Sequence, residues 1–276
     1  NNDEPSLVLR INSSVIPRDA FYLALEKAAI TFHPGSSAPD SIVLPDFHGK
    51  ISTIPGYAEG HFQVQDEAAQ LATVLLSPFT KGGRYLDGCA GLGGKTTHLL
   101  SLGQEFKLHI HAVEPEQHRL TLLKENADRL LINNTLTIHA GSLQDFAEAE
   151  AEAFDGVLID APCSGTGVTG RHPDIRWNRV ESDLPRYQKA QKELLTAAAK
   201  LVRPCGILVY ATCSLEPEEN QDVIQHFLRT HPEFSLSDCS QQLPPSAHKY
   251  VKDSFFMPHP SGSIDGFFAA RLEKSQ

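Results

Sequence analysis

Two patterns in the 276 residues predict an α/β fold in which a mostly parallel central sheet follows a small α+β subdomain. From about residue 84 onward, short runs rich in Val, Ile or Leu alternate with helical stretches, the rhythm of parallel strands covered on both faces by helices. Residues 1–80 break that rhythm, being rich in Pro and Gly, with one helix at 19–29 and a second at 66–76. The expected organisation is an N-terminal α+β subdomain at 1–80 and a larger domain at 81–276.

The first strand of the large domain is Arg84-Tyr85-Leu86-Asp87, followed by glycines and a helix at 96–102. A strand at 108–114 and a helix at 117–131, with apolar residues at helical spacing, come next. Runs at 135–139, 156–161 and 207–211 complete the set, each bounded by turn residues. After a long irregular stretch, 266–272 forms the last strand.

Composition narrows the function. No stretch of 18 or more apolar residues is present, so no membrane span is expected. The start, Asn1-Asn2-Asp3-Glu4-Pro5, lacks the basic and apolar parts of a signal peptide. It also lacks an initiator Met, so the chain is expected to be a processed or trimmed piece of something longer. The cysteines (Cys89, Cys163, Cys205, Cys213, Cys239) are odd in number and never spaced C-x-x-C, which argues against disulfides and zinc and for a reducing, cytoplasmic setting. His109 and His111 share a strand face, yet no third ligand is evident and no metal is expected. A net charge of −10 is an objection to a nucleic-acid partner. Against it, Arg171, Arg176, Arg179, Arg186, Lys189, Lys192, Lys200 and Arg203 are opposed only by Asp174, Glu181, Asp183 and Glu193. That segment is either a phosphate track or a solvated helix face.

The glycine loop, Asp87-Gly88-Cys89-Ala90-Gly91-Leu92-Gly93-Gly94-Lys95-Thr96-Thr97-His98, lies between a strand and a helix. A P-loop would need Gly at position 89, and a dinucleotide fingerprint starting at Gly91 would need Gly at 96; Cys89 and Thr96 exclude both. What remains is a tight turn that lets a nucleoside-like ligand approach the backbone, with Glu114 at the next strand end to hold ribose hydroxyls. S-adenosylmethionine, with a ribose and no pyrophosphate, fits. The plainer alternative is a tight turn and a surface acid.

Cys163, in Asp160-Ala161-Pro162-Cys163-Ser164-Gly165, and Cys213, in Thr212-Cys213-Ser214, each follow a predicted strand. The carboxyl ends of parallel strands share one crevice, so both thiols should meet the glycine loop there. Carbon 5 of cytosine is a poor nucleophile, and a thiolate adding to carbon 6 makes it able to take a methyl group. Asp160 is suitably placed to favour that addition at N3, and a second thiol could assist release. The competing fate of any one cysteine is a small buried hydrophobe. Position alone does not say which thiol attacks.

These residues carry a resemblance over nearly the whole chain. Leu9-Arg10-Ile11-Asn12, Val64-Gln65-Asp66-Glu67, 160–168, 171–177, 210–215 with Pro217-Glu218-Glu219-Asn220, and Asp265-Gly266-Phe267-Phe268 resemble the motifs of the Fmu/Sun family of RNA cytosine-5 methyltransferases. The nearest likeness is to the bacterial 16S ribosomal RNA cytosine-5 methyltransferase B group. The resemblance implies a Rossmann-like, S-adenosylmethionine-dependent methyltransferase, monomeric and metal-free, acting on RNA. By it, Cys213 is the nucleophile, Cys163 the thiol of product release and Asp160 a catalytic acid. Cys89, Ala90, Gly91, Leu92, Gly93, Gly94, Lys95, Glu114, Ser142 and Asp160 would line the cofactor pocket. Gly91-Leu92 stands where the family has Ala-Pro, and Ser142 where it tends to carry Asp, so a looser turn and weaker cofactor binding are expected. The helical NusB-like domain common in the B group has no counterpart here. Trp177 is either a platform for a flipped-out base or a packing residue, and His98 a helix residue near the cofactor. A methyltransferase for protein or small molecules would leave the two thiols without a role. An RNA-binding scaffold that has lost turnover is the alternative that Ser142 and the altered loop support.

Overall fold

The computed structural model describes residues 5–132, 135–150 and 153–276. The first part is a four-stranded antiparallel sheet, β1 (Leu7–Ile11), β2 (His33–Pro34), β3 (Ser41–Leu44) and β4 (Phe62–Val64), in the order β2-β3-β1-β4. Helix α1 (Arg18–Lys27) starts directly after Pro17 and buries Phe21 and Leu25, four residues apart on one face, against Leu9, Ile42 and Phe62. Helix α2 (Glu67–Val74) is capped by Asp66, whose carboxylate accepts from the Ala68 amide at 2.8 Å. It packs Ala68, Leu71 and Ala72 into the core of the second part.

That second part runs β5 (Arg84–Asp87), α3 (Gly94–Gly103), β6 (His109–Glu114), α4 (Gln117–Arg129), β7 (Leu136–Ala140), α5 (Leu143–Ala149) and β8 (Phe154–Asp160). It continues with α6 (Ile175–Asn178), α7 (Leu184–Leu201), β9 (Val202–Thr212), α8 (Gln221–Thr230), β10 (Phe234–Ser237), β11 (Val251–Lys252), β12 (Phe255–Phe256) and β13 (Phe268–Lys274). The sheet is ordered β11-β12-β13-β9-β8-β5-β6-β7, with β10 also on β13. β5, β6, β7, β8 and β9 pair in parallel, and β13 returns antiparallel on β9. Strand alternation explains the two cores: Tyr85, Leu158, Val209 and Ala211 face one helical layer, while Leu86, Val157, Ile159, Leu208 and Tyr210 face the other. This is the mostly parallel, doubly covered sheet expected from sequence.

Several elements exceed expectation. The strand expected at 207–211 starts at Val202, which pairs with Phe154 of β8; pairing resumes at Ile207 opposite Gly156, and the residues between form an irregularity with Cys205 at φ 58°. Helix α7, 18 residues long, accounts for much of the basic segment. That segment is not one track. Arg171 turns inward, donating to Asp265 at 2.7 Å, Asp66 at 3.2 Å and the Ser6 carbonyl at 3.0 Å, and Arg203 pairs with Asp155 at 2.6 Å.

Buried side chains bolt the two parts together. Arg10 on β1 donates to the Gly94 carbonyl at 3.0 Å, to Thr97 Oγ1 at 3.1 Å and to Gln65 Oε1. Burial lowers its pKa to about 9, still well above neutrality. Asn12 donates to the carbonyls of Gly60 and Leu130 at 3.0 and 2.9 Å. Replacing Arg10 strands buried acceptors, so Arg10→Ala should lower the unfolding free energy in urea by about 3 kcal/mol. Arg18→Ala, which breaks an exposed pair with Asp40, should cost about 1 kcal/mol or less.

Candidate active site

The glycine loop leaves β5 at Asp87 and enters α3 at Gly94. Gly91 and Gly93 adopt φ 56° and 86°, a left-handed conformation that favours glycine. Although Leu92 stands where a rigid Pro is expected, the turn is pinned. The Gly91 amide donates to Glu114 Oε2 at 2.9 Å, Gly93 N to the Ala90 carbonyl at 2.9 Å, and Asn126 Nδ2 to the Leu92 carbonyl at 3.0 Å. Asp87 accepts from Thr96 Oγ1 at 2.7 Å, and burial raises its pKa to about 6.

The loops after β5, β6, β7, β8 and β9 line a cavity of about 520 Å³. Of the residues predicted from sequence, it brings together Cys89, Gly91, Glu114, Ser142, Asp160, Cys163 and Cys213. A smaller cavity of about 200 Å³ lies on the other side of the loop, lined by Ala90, Leu92, Gly94 and Lys95, with Cys89, Gly91 and Asp160 shared between the two. Gly93 lines neither and serves the turn into α3; a Cβ there would approach Leu123 of α4 to 3.0 Å. Arg179 of the basic segment also lines the larger cavity, as do Arg119 and Tyr187, which nothing in the local sequence marks.

Glu114 is buried, and each of its oxygens already accepts one backbone amide, from Gly91 and Glu116, both at 2.9 Å. A carboxylate oxygen has two acceptor sites, so both keep one for a ribose hydroxyl. Ser142 caps α5: its hydroxyl accepts from the Asp145 amide at 3.1 Å and donates to Asp145 Oδ2 at 2.6 Å. Its proton is thereby committed away from the cavity. Volume, polar placement and this ribose site fit S-adenosylmethionine.

At the far end, Lys95 Nζ donates to Asp160 Oδ2 at 2.5 Å. Burial opposes the lysine charge, but Asp160 outweighs it and the pKa is raised. Cys163 Sγ and Cys213 Sγ lie 3.3 Å apart. The hydrogen bond from Cys163 and the Lys95 ammonium together lower the Cys213 pKa. The contact with Cys213, burial and the Cys213 charge, with smaller contributions from Glu219 and Asp160, push the Cys163 thiol well up. The environment thus distinguishes two sulfurs that the sequence could not order.

The remaining candidates separate clearly. Trp177 is 86% exposed, which removes the packing alternative. His98 is buried, and burial holds its pKa well below the ordinary value, with Arg10 and Lys95 adding to the effect. His111 stacks on His139 across β6 and β7, ring nitrogens 3.0 Å apart. Among the described residues no group of three His, Cys, Asp or Glu is placed to hold a metal ion, and no helix is long and apolar enough to cross a membrane.

Strand order, the glycine turn into α3 and the acid closing β6 define a Rossmann-like, S-adenosylmethionine-dependent methyltransferase. Residues 73–273 match the family described as 16S rRNA methyltransferase RsmB/F, and the chain belongs to that family. The ribosomal RNA small subunit methyltransferase B of Salmonella newport (strain SL254) is 38% identical over 275 residues, covering 99% of this chain and 61% of that protein. Its namesake in Yersinia pestis bv. Antiqua (strain Angola) is 37% identical over 274 residues, with the same coverage. The chain spans about three fifths of the length of these curated relatives. Among solved structures, PH0851 superposes with a TM-score of 0.87 at 30% identity, covering 99% of this chain and 60% of that one. A methyltransferase homologue from Pyrococcus horikoshii gives 0.81 at 27% identity, covering 99% and 87%.

Because Asp is as good a helix cap as Ser, Ser142→Asp should keep α5 and offer the cavity a carboxylate. Calorimetric titration with S-adenosylmethionine should show a dissociation constant several-fold lower, roughly what one added charge-assisted hydrogen bond gives. An unchanged constant would mean that Ser142 does not limit affinity.

Proposed function

We propose that this chain methylates carbon 5 of a cytosine in RNA, small-subunit ribosomal RNA in particular, with Cys213 as nucleophile and Cys163 as the thiol of product release. The observation that carries the reading is the thiol pair, two partly exposed sulfurs 3.3 Å apart in a pocket that also holds Asp160 and Glu114. Methylating an amine or amide calls for no covalent nucleophile; methylating carbon 5 of cytosine does. The full-length relatives named above act on ribosomal RNA by name, which favours that substrate.

Bound S-adenosylmethionine supplies an electrophilic methyl group; the remaining steps fall to the chain. Lys95 and the Cys163 S–H favour the Cys213 thiolate. Its addition to carbon 6 forms a C–S bond and pushes the ring electrons toward carbon 5 and N3. A proton shared between N3 and Asp160, itself steadied by Lys95, stabilises the charge that builds there. Once carbon 5 carries the methyl group, transfer of its original proton to solvent water restores the ring double bond as the C–S bond breaks and Cys213 leaves as the thiolate, with Cys163 beside the departing sulfur. The cofactor assignments of Cys89–Lys95, Glu114 and Ser142 belong to the same reading, Glu114 on the ribose and the loop backbone against the nucleoside.

RNA approaches along residues 172–187, where exposed Trp177 offers a stacking face and Arg179 reaches the cavity. Arg179 and Arg186 both lie over the Tyr187 ring, 5.8 and 5.3 Å from its centroid.

With protein-free small-subunit ribosomal RNA and methyl-labelled S-adenosylmethionine, wild type should place label in 5-methylcytidine. Cys213→Ala should lose at least about a thousandfold in rate, as expected when a covalent nucleophile is removed. Cys163→Ala should accumulate a protein–RNA adduct on denaturing gels. A wild type that binds the cofactor and labels no cytosine, with or without the segment that its longer relatives carry, would shift the reading to the scaffold. Trp177→Ala should raise KM for RNA about tenfold while leaving cofactor affinity unchanged, in line with the loss of one stacked base.

A further inference from the structure

Two thiols at the ends of separate strands stay in register only if their loops are tied to one another. The loop after β8 carries Cys163 followed by Ser164, and the loop after β9 carries Cys213 followed by Ser214. Behind them lies Glu219, fully buried in a single 3₁₀ turn at 217–219. One of its oxygens accepts from the Ser164 amide and from Gln191 Nε2, both at 2.9 Å. The other accepts from Ser214 Oγ at 2.5 Å and from Ser164 Oγ. All four acceptor sites of the carboxylate are filled, and among the described residues no Lys or Arg pairs with it.

We infer that Glu219 is the positioning residue of the thiol pair: one buried carboxylate holds the residue after each cysteine and so sets both their spacing and their division of labour. This rests on the covalent role proposed for Cys213 and extends it to a group that touches neither substrate nor cofactor. The surrounding contacts point the same way. Gln191 also donates to the Pro162 carbonyl at 3.0 Å, just ahead of Cys163. Asn220 donates to the Ser214 carbonyl at 2.9 Å and accepts from Thr212 Oγ1 at 2.6 Å, bracketing Cys213. Tyr210 fixes the turn itself, donating to the Glu219 carbonyl at 2.7 Å.

The chemistry requires a carboxylate. The Ser164 amide and Gln191 Nε2 can only donate, so a glutamine would either turn its NH₂ against them or force both serine hydroxyls to accept where they now donate, and an aspartate is one methylene too short to span both loops. The charge also acts unequally. Glu219 is among the causes that keep Cys163 a thiol, whereas Lys95 acts on Cys213. Removing the charge should therefore make the two sulfurs more alike, an effect that loss of stability alone would not produce.

The test is alkylation of the full chain by iodoacetamide across a pH series, without RNA, with each cysteine followed by peptide mass spectrometry. Wild type should alkylate at Cys213 well before Cys163. In Glu219→Gln that preference should fall by about tenfold, the effect of one pKa unit, and the two pH profiles should converge. Ser214→Ala keeps the charge and removes one tie, so it should lower the preference for Cys213 by less than Glu219→Gln does. It also serves if Glu219→Gln does not fold. Variants with a lowered melting temperature but wild-type preference and pH profiles would reduce Glu219 to a packing residue and overturn the inference. The covalent reading is judged separately by adduct formation with RNA, since alkylation reports on the pair whether or not a cytosine is attacked.

Discussion

Every feature of the site depends on the parallel register at the middle of the sheet. Asp87 pairs with Ala112 on β6 and with Leu158 on β8, while Asp160 pairs with Ala211 on β9. With β7 paired to β6 at Ala140 opposite Glu114, five loops therefore leave the sheet along one edge. The order changes direction at β5, with β6 and β7 on one side and β8 and β9 on the other, so the loops diverge there and open a crevice. Glu114 lies on one flank and the thiols on the other, with the glycine turn between them. The antiparallel return of β13 completes the wall: Phe268 lies opposite Thr212, and Phe267 sits under the Lys95 ammonium, 5.4 Å from its ring centroid.

Within that crevice the charges are few and paired. In a chain of net charge −10, the one ammonium beside the thiols is held by a carboxylate and buried enough to matter at short range. The local arrangement, not the net charge, sets the surroundings of each sulfur. The same distinction applies to the proposed RNA substrate: the overall charge opposes it, while Arg179 and Arg186 over Tyr187 and the exposed Trp177 make a local surface of the kind it would need.

Much of this was legible in the residues. Arg84–Asp87 forms its strand at the predicted bounds, and the helix expected at 117–131 ends at Arg129, two residues early. Such elements announce themselves through short-range periodicity and turn residues. Longer-range facts did not. Arg171 reads as part of a basic run, yet its partners Asp66 and Asp265 lie 105 and 94 residues away, and no local pattern points to them. The weaker propensity of Pro204 and Gly206 hid the start of β9, whose pairing with its neighbours overrides it. Leu92 suggested a loose turn, but a hydrogen bond from the Gly91 amide to Glu114 and one from Asn126 to the Leu92 carbonyl supply the rigidity that a proline would have given. Nothing local distinguishes the two cysteines, whose surroundings include Lys95, 118 positions before Cys213, and Glu219, 56 positions after Cys163.

The position of β13 carries a consequence for how the molecule is assembled. It lies inside the sheet, with β9 along one edge and β12 and β10 along the other. Until residues 268–274 have been made, β9 shows an open row of amides and carbonyls flanked by apolar side chains, the surface on which a nascent chain pairs with the wrong partner. Parallel pairing across long loops already makes such sheets slow to form. The most vulnerable interval in this protein's life thus falls between the emergence of β9 and that of β13, a stretch of chain rich in short turns that form little sheet of their own.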